Sequence, residues 1–131
     1  MYRYSAPIYN THITPEQREA YLQSFRAAKI ERVFLIPKRN IDAGEVADFA
    51  LLCENVAWLR ENNIQPAIWM GETLGHGGLL HDPKGKDGAP AFTPLRNFDG
   101  EDQGGTRCPT DARFVENLLK IFRTLAAAHP D

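Results

Sequence analysis

Apolar positions along the chain alternate between short continuous runs and longer periodic stretches. Val33-Phe34-Leu35-Ile36 is a continuous run closed by Pro37, and Ala67-Ile68-Trp69-Met70 is another closed by Gly71. Four apolar residues bounded by charges and breakers suit a strand covered on both faces. Tyr4 to Tyr9 reads as an earlier strand, although Pro7 removes one backbone donor from it. Between these runs the apolar period becomes that of a helix. Tyr21, Leu22, Phe25 and Ala28 mark one stripe, and Val46, Phe49, Ala50, Cys53, Val56 and Ala57 a second. Phe114, Val115, Leu118, Phe122 and Leu125 mark a third.

Start and stop signals frame these stripes. Thr14 with Gln17 reads as a capping box with Pro15 at the first helical position, and Asp42 with Glu45 as a second capping pair. Asn62-Asn63 suits the end of the second helix, because asparagine tolerates the left-handed conformation. The third helix is predicted to begin near Cys108-Pro109-Thr110-Asp111 and to close at His129-Pro130. The order is therefore β-α-β-α-β-loop-α. Strands that alternate with helices predict an α/β fold of parallel βα units joined by right-handed crossovers.

The pattern fails between Gly71 and Cys108. These 38 residues hold nine of the ten glycines, so residues 1–131 read as one βα-repeat domain with a long glycine-rich loop at 71–108. Parallel βα connections usually take two to six residues, and a structureless loop beyond about 15 is uncommon unless it is functional or disordered. Phe92, Leu95 and Phe98 argue against simple disorder, and Asp99-Gly100 suits a short hairpin.

Composition narrows the function classes. The chain has 131 residues, 43% of them hydrophobic, with 15 basic against 17 acidic side chains and a net charge of −2. That balance, with no basic stripe interleaved with aromatics, argues against nucleic acid as partner. No apolar run reaches the length of a membrane span. No signal-peptide pattern follows Met1, which makes the cytoplasm the default location. Cys53 reads as a small core residue on the second stripe, and its pairing with Cys108 is unforced.

Candidate chemistry gathers where the strands end. In parallel α/β folds ligands bind outside the carboxyl ends of the strands. Three such ends are Tyr9-Asn10-Thr11-His12, Pro37-Lys38-Arg39 and Gly71-Glu72-Thr73. Asn10 and Arg39 carry donors whose charge state is constant at neutral pH. Arg39 equally suits a surface pair with Asp42. Glu72 suits a carboxylate that binds sugar hydroxyls or transfers a proton, or a solvated residue after a strand. His76 suits sugar contact. A metal site at His76, His81 and Asp82 is not expected, because the intervening glycines cannot hold ligands at convergent angles. Trp69 suits either a stacking platform or the core, and its mid-strand position favours the core. Gly75-His76-Gly77-Gly78 lacks the lysine of a phosphate-binding loop, and no glycine motif follows the first strand, so no cofactor is expected.

The runs VFLIP, WLRENNIQPAIWMGETLGHGG and CPTDARFVENLLKIFRTLAAAHPD together resemble the N-terminal part of a glycoside-hydrolase-type TIM (β/α) barrel. The resemblance rests on a helix ending in Asn-Asn-Ile, a strand containing Trp, and a Gly-His-Gly loop. It implies a (β/α)8 fold, a carbohydrate substrate, and substrate-binding roles for Tyr9, Asn10, Arg39, Glu72 and His76. In many such enzymes the catalytic acid follows strand four and its partner follows a later strand, beyond these residues. The isolated chain is then expected to lack turnover, and its uncovered inner sheet face to drive self-association. The rival reading is a non-catalytic α/β binding or assembly module, possible as a dimer.

Overall fold

The computed structural model describes residues 4–41, 43–70 and 92–129, and at 102–107 the backbone course. It is a mixed α/β structure. In chain order the strands are β1 (Tyr4–Tyr9), β2 (Ile30–Ile36), β3 (Arg39–Asn40), β4 (Glu45–Val46), β5 (Gln65–Ile68), β6 (Pro94–Arg96) and β7 (Asp102–Arg107). The helices are α1 (Arg18–Ala27), α2 (Phe49–Glu61) and α3 (Ala112–Ala127), with a 3-10 turn at Asn10–His12. The residues divide into two compact units, one drawn from Met1–Arg39, Val46–Trp69 and Arg123–Asp131, the other from Asn40–Glu45 and Met70–Phe122.

The first unit holds the parallel sheet, in the order β1-β2-β5. Ala6 pairs with Val33 and Tyr9 with Ile36 on one side of β2, while Val33 pairs with Pro66 and Leu35 with Ile68 on the other. Pro7 and Pro66 both fall on outer strands, where a missing donor costs least. Burial in β2 alternates. Val33 and Leu35 are buried, whereas Arg32, Phe34 and Ile36 are half-buried. The expectation of a strand covered equally on both faces is thus corrected. Crossovers of one hand bring α1 and α2 to the same side of the sheet.

The first two helices start later than their caps predict. The Thr14 carbonyl accepts from Gln17 and Arg18, and the turn runs on until α1 opens at Arg18. Glu45, read as half of a capping pair, lies instead in β4, and α2 begins at Phe49; Asp42 is outside the described residues. A tight hairpin takes the place of the first predicted turn of helix, with Gly44 in the left-handed region at φ 69°. The buried stripe of α2 is Leu52, Asn55, Val56 and Leu59, so Ala50 and Ala57 face outward. Each fully buried leucine stabilises the fold by about 1.5–3 kcal/mol. Asn63, at φ 60°, reverses the chain after α2 as its identity predicts, and the Ile64 N–H closes the turn on the Leu59 carbonyl at 2.9 Å.

The second unit is built around an antiparallel hairpin of β6 and β7. Its turn holds Asp99-Gly100, with Gly100 at φ 81°. The Asn97 side-chain oxygen accepts from the Asp99 and Glu101 amides at 3.0 and 2.9 Å, which closes the turn locally. Phe92 and Phe114 meet edge-to-face at 5.7 Å, with Ile41 and Leu118 packed around them. Both cysteines are free thiols, and Cys53 is only half-buried.

Candidate functional site

The carboxyl edge of the parallel sheet is organised by a buried polar chain. Asn10, immediately after β1, has no exposed surface, and neither has Asn55 in α2. An amide withdrawn from water must find partners or lose the free energy of its hydration. Asn10 Nδ2 donates to Asp48 Oδ2 at 2.8 Å, and Asn10 Oδ1 accepts from Asn55 Nδ2 at 3.0 Å. Asn55 Nδ2 also reaches the carbonyls of Asn10 and Ile13 at 3.2 and 3.0 Å. Arg18 Nε and Nη2 donate to Asn55 Oδ1 at 3.2 and 2.9 Å, and Nη2 also pairs with Glu54 at 3.1 Å. At the other end, the Lys38 amide donates to Asp48 Oδ1 at 2.8 Å. One continuous network thereby ties the ends of β1 and β2 to the start of α2 and to α1.

Of the five residues singled out as substrate contacts, three fall at this edge. Asn10 is there, but its amide is committed to the framework. Arg39 is half-buried just beyond β2. Loss of hydration pulls its guanidinium below the usual arginine value, and the negative charge of Asp48 opposes that shift. Arginine remains charged under such a shift, so Arg39 is a cation held against the network. Its neighbouring charge is Asp48. Tyr9 ends β1 with 59% of its surface exposed, its ring 5.4 Å from that of His12. Glu72 and His76 lie outside the described residues, as do His81 and Asp82.

Trp69 differs from its sequence reading. β5 ends at Ile68, so Trp69 stands just past the strand rather than within it, and it is 45% exposed. Its amide still bonds to the Leu35 carbonyl at 2.9 Å, which continues the ladder by one step. Because Leu35 pairs with Ile68 and Tyr9 with Ile36, that step sets Trp69 level with Ile36 and Tyr9. Level positions on parallel neighbours project to the same face. Phe34, two residues earlier in β2, supports the indole edge-on at 6.2 Å and 80°.

The signal for Asn55 was present in the sequence: an amide within an otherwise apolar helical stripe must have a buried partner. Asp48 offered no such signal, because its role depends on an amide ten residues back and a side chain in a different βα unit. Among the described residues, no three His, Cys, Asp or Glu side chains converge as a metal-holding group, and no helix is long and apolar enough to cross a membrane. Compared with protein-family models, curated proteins and solved structures, the chain matches none.

Proposed function

We propose that the chain binds carbohydrate at the carboxyl edge of its parallel sheet, as part of a glycoside-hydrolase-like (β/α) barrel. The observation that carries this reading is the pair of exposed aromatic side chains, Tyr9 at the end of β1 and Trp69 just past β5, level with each other across β2. Two strand spacings separate them by about 10 Å, a span on the scale of one sugar ring. Aromatic faces accept the apolar C–H faces of sugars, and few other soluble ligands favour two aromatic platforms flanked by hydrogen-bond donors. Arg39, just beyond β2, adds a permanent cation at the same edge. Asn10 acts indirectly in this reading, by fixing the backbone that presents Tyr9.

Titration calorimetry against a panel of soluble oligosaccharides tests the proposal. Trp69→Ala is expected to weaken binding about tenfold and Tyr9→Ala somewhat less, in line with about 0.5–1.5 kcal/mol per aromatic contact. Absence of saturable binding to any member of the panel, or binding indifferent to both substitutions, would remove this reading. The assembly-module reading is favoured by a separate feature, an apolar stripe on α3.

A further inference from the structure

The third helix carries more apolar surface than its packing uses. Phe114, Ile121 and Leu125 are buried, yet Val115, Leu119 and Phe122 remain 36%, 46% and 37% exposed. At 100° per residue these three fall on one stripe, extended by the exposed Ala112 and Ala126. The stripe predicted from periodicity mixed the two faces, placing Val115 and Phe122 with Phe114 and Leu125. In the structure they separate into a buried face and an apolar outer face.

We propose that this outer face pairs with the same face of a second copy of the chain, the two helices running antiparallel about a two-fold axis near Leu119. The residue pattern is self-complementary about that point. Alanine ends the stripe on both sides, seven residues before and seven after Leu119, and the bulkier side chains lie between. Glu116 and Arg123 are both exposed on the same flank of the stripe, three residues before and four after Leu119. An antiparallel pair sets Glu116 of each copy against Arg123 of the other, twice by symmetry. Lys120 pairs with Glu116 at 3.0 Å within the helix and competes with Arg123 of the second copy for it, which keeps the charge contribution small. Parallel pairing would instead bring Asp111 of one copy toward Glu116 of the other, a like-charge contact. The charge pattern therefore selects both the occupant and its direction.

A helix of 16 residues is about 24 Å long. A single helix pair of that length buries less than the roughly 1,600 Å² of a standard stable interface. The expected species is accordingly a concentration-dependent dimer rather than a permanent one. The inference does not rest on sugar binding.

Sedimentation velocity over a wide concentration range tests it. The unaltered chain is expected to move from monomer to dimer. Leu119→Glu, at an exposed position, is expected to keep the circular dichroism spectrum of the unaltered chain and to weaken dimerisation roughly thirtyfold or more. Glu116→Arg alone is expected to weaken it about two- to fivefold, by setting cations against each other. The double change Glu116→Arg with Arg123→Glu is expected to restore it, because antiparallel pairing exchanges those two positions. A chain that stays monomeric throughout overturns the proposal. So does a dimer indifferent to Leu119→Glu, or one in which the double change is no better than Glu116→Arg alone.

Discussion

The first unit buries two asparagines, Asn10 and Asn55, whereas those described in the second stay near the surface. Asn10 and Asn55 have no exposed area and bond to each other, to Asp48 and to Arg18 across chain separations of 37 to 45 residues. Asn97 and Asn117 are half-exposed. Asn97 bonds to amides two and four residues ahead, and Asn117 reaches the Ile41 carbonyl at 3.1 Å. The first arrangement requires the sheet edge and two helices to be assembled before any amide is satisfied. Asn97 closes its turn with the chain at hand, whereas Asn117 joins residues 76 positions apart. A buried network of this kind binds the strand ends to one geometry, which suits an edge that presents Tyr9 and Trp69 at fixed positions. The second unit instead depends on the Phe92–Phe114 pair for its core.

Replacing one residue of each kind should separate these two modes. Asn55→Leu keeps the branched shape of the side chain but leaves Asn10 Oδ1 and the Ile13 carbonyl without the Asn55 amide, while the Asn10 carbonyl keeps the Ile13 N–H and Arg18 keeps Glu54. The expected cost is about 3–5 kcal/mol, at about 1–3 kcal/mol for each buried group left unsatisfied. Phe114→Ala leaves no polar orphan and should cost about 3 kcal/mol through lost burial and a cavity. Urea denaturation measures both. If Asn55→Leu costs less than about 1 kcal/mol, the network governs geometry without supporting stability, and the comparison changes character.

Legibility in the sequence followed the range of the interactions. The existence of three helices, the hairpin at Asp99-Gly100 and the turn at Asn63 depend largely on neighbours within a few residues and could be read directly; β1 was legible too, although its partner β2 is distant along the chain. Errors arose where a distant partner decided the outcome. β5 lies two residues earlier than the apolar run Ala67 to Met70, because Gln65 is drawn into the ladder, where its side chain accepts from Arg32 at 2.9 and 2.6 Å. Glu45 has good capping identity, yet the backbone bond from Ala47 to the Lys38 carbonyl at 2.8 Å holds that segment in a hairpin. On α3 the apolar residues outnumber the buried positions, so periodicity could not say which face turns inward. Of the candidate substrate contacts, Tyr9 and Arg39 sit at the sheet edge that their position implied. Trp69 was misplaced by the same two-residue offset that displaced β5.

The two described left-handed glycines provide a finer comparison within the second unit. Gly44 and Gly100 have φ of 69° and 81°, so each pays a backbone cost on gaining a side chain. A methyl group at Gly100 meets nothing within 4 Å, whereas one at Gly44 would stand 3.2 Å from Asn117 Oδ1 and 3.3 Å from Asn117 Cα. Gly100→Ala is expected to cost about 1 kcal/mol from conformation alone. Gly44→Ala should cost about 2 kcal/mol, because the backbone of α3 has to yield as well. Thermal unfolding of both variants checks the order. Equal costs would mean that the hairpin, rather than its packing on α3, sets the requirement at Gly44.

The smallest expected effect concerns acid, and it isolates one carboxylate that works locally. The Asp111 carbonyl accepts the first helical bond of α3, from Val115 at 3.0 Å, and its side chain caps the Arg113 amide at 3.0 Å. The same carboxylate accepts from the Thr93 amide at 2.7 Å and from Arg113 Nη2 at 3.0 Å. The Arg113 side chain first, and the Thr93 amide second, hold Asp111 far below the usual aspartate range. A carboxyl group depressed by folding adds stability that is fully present above its unfolded value, near pH 4. That stability is lost as the pH falls through the depressed folded value, because the unfolded chain then binds the proton more readily. The contribution of Asp111 should therefore be flat from neutrality to about pH 5 and should decline below pH 4. Asp111→Asn retains a capping oxygen but cannot titrate, so it should lower the urea midpoint modestly at pH 6 and narrow its difference from the unaltered chain at pH 3. An undiminished gap at pH 3 would assign the effect of the substitution to geometry rather than charge.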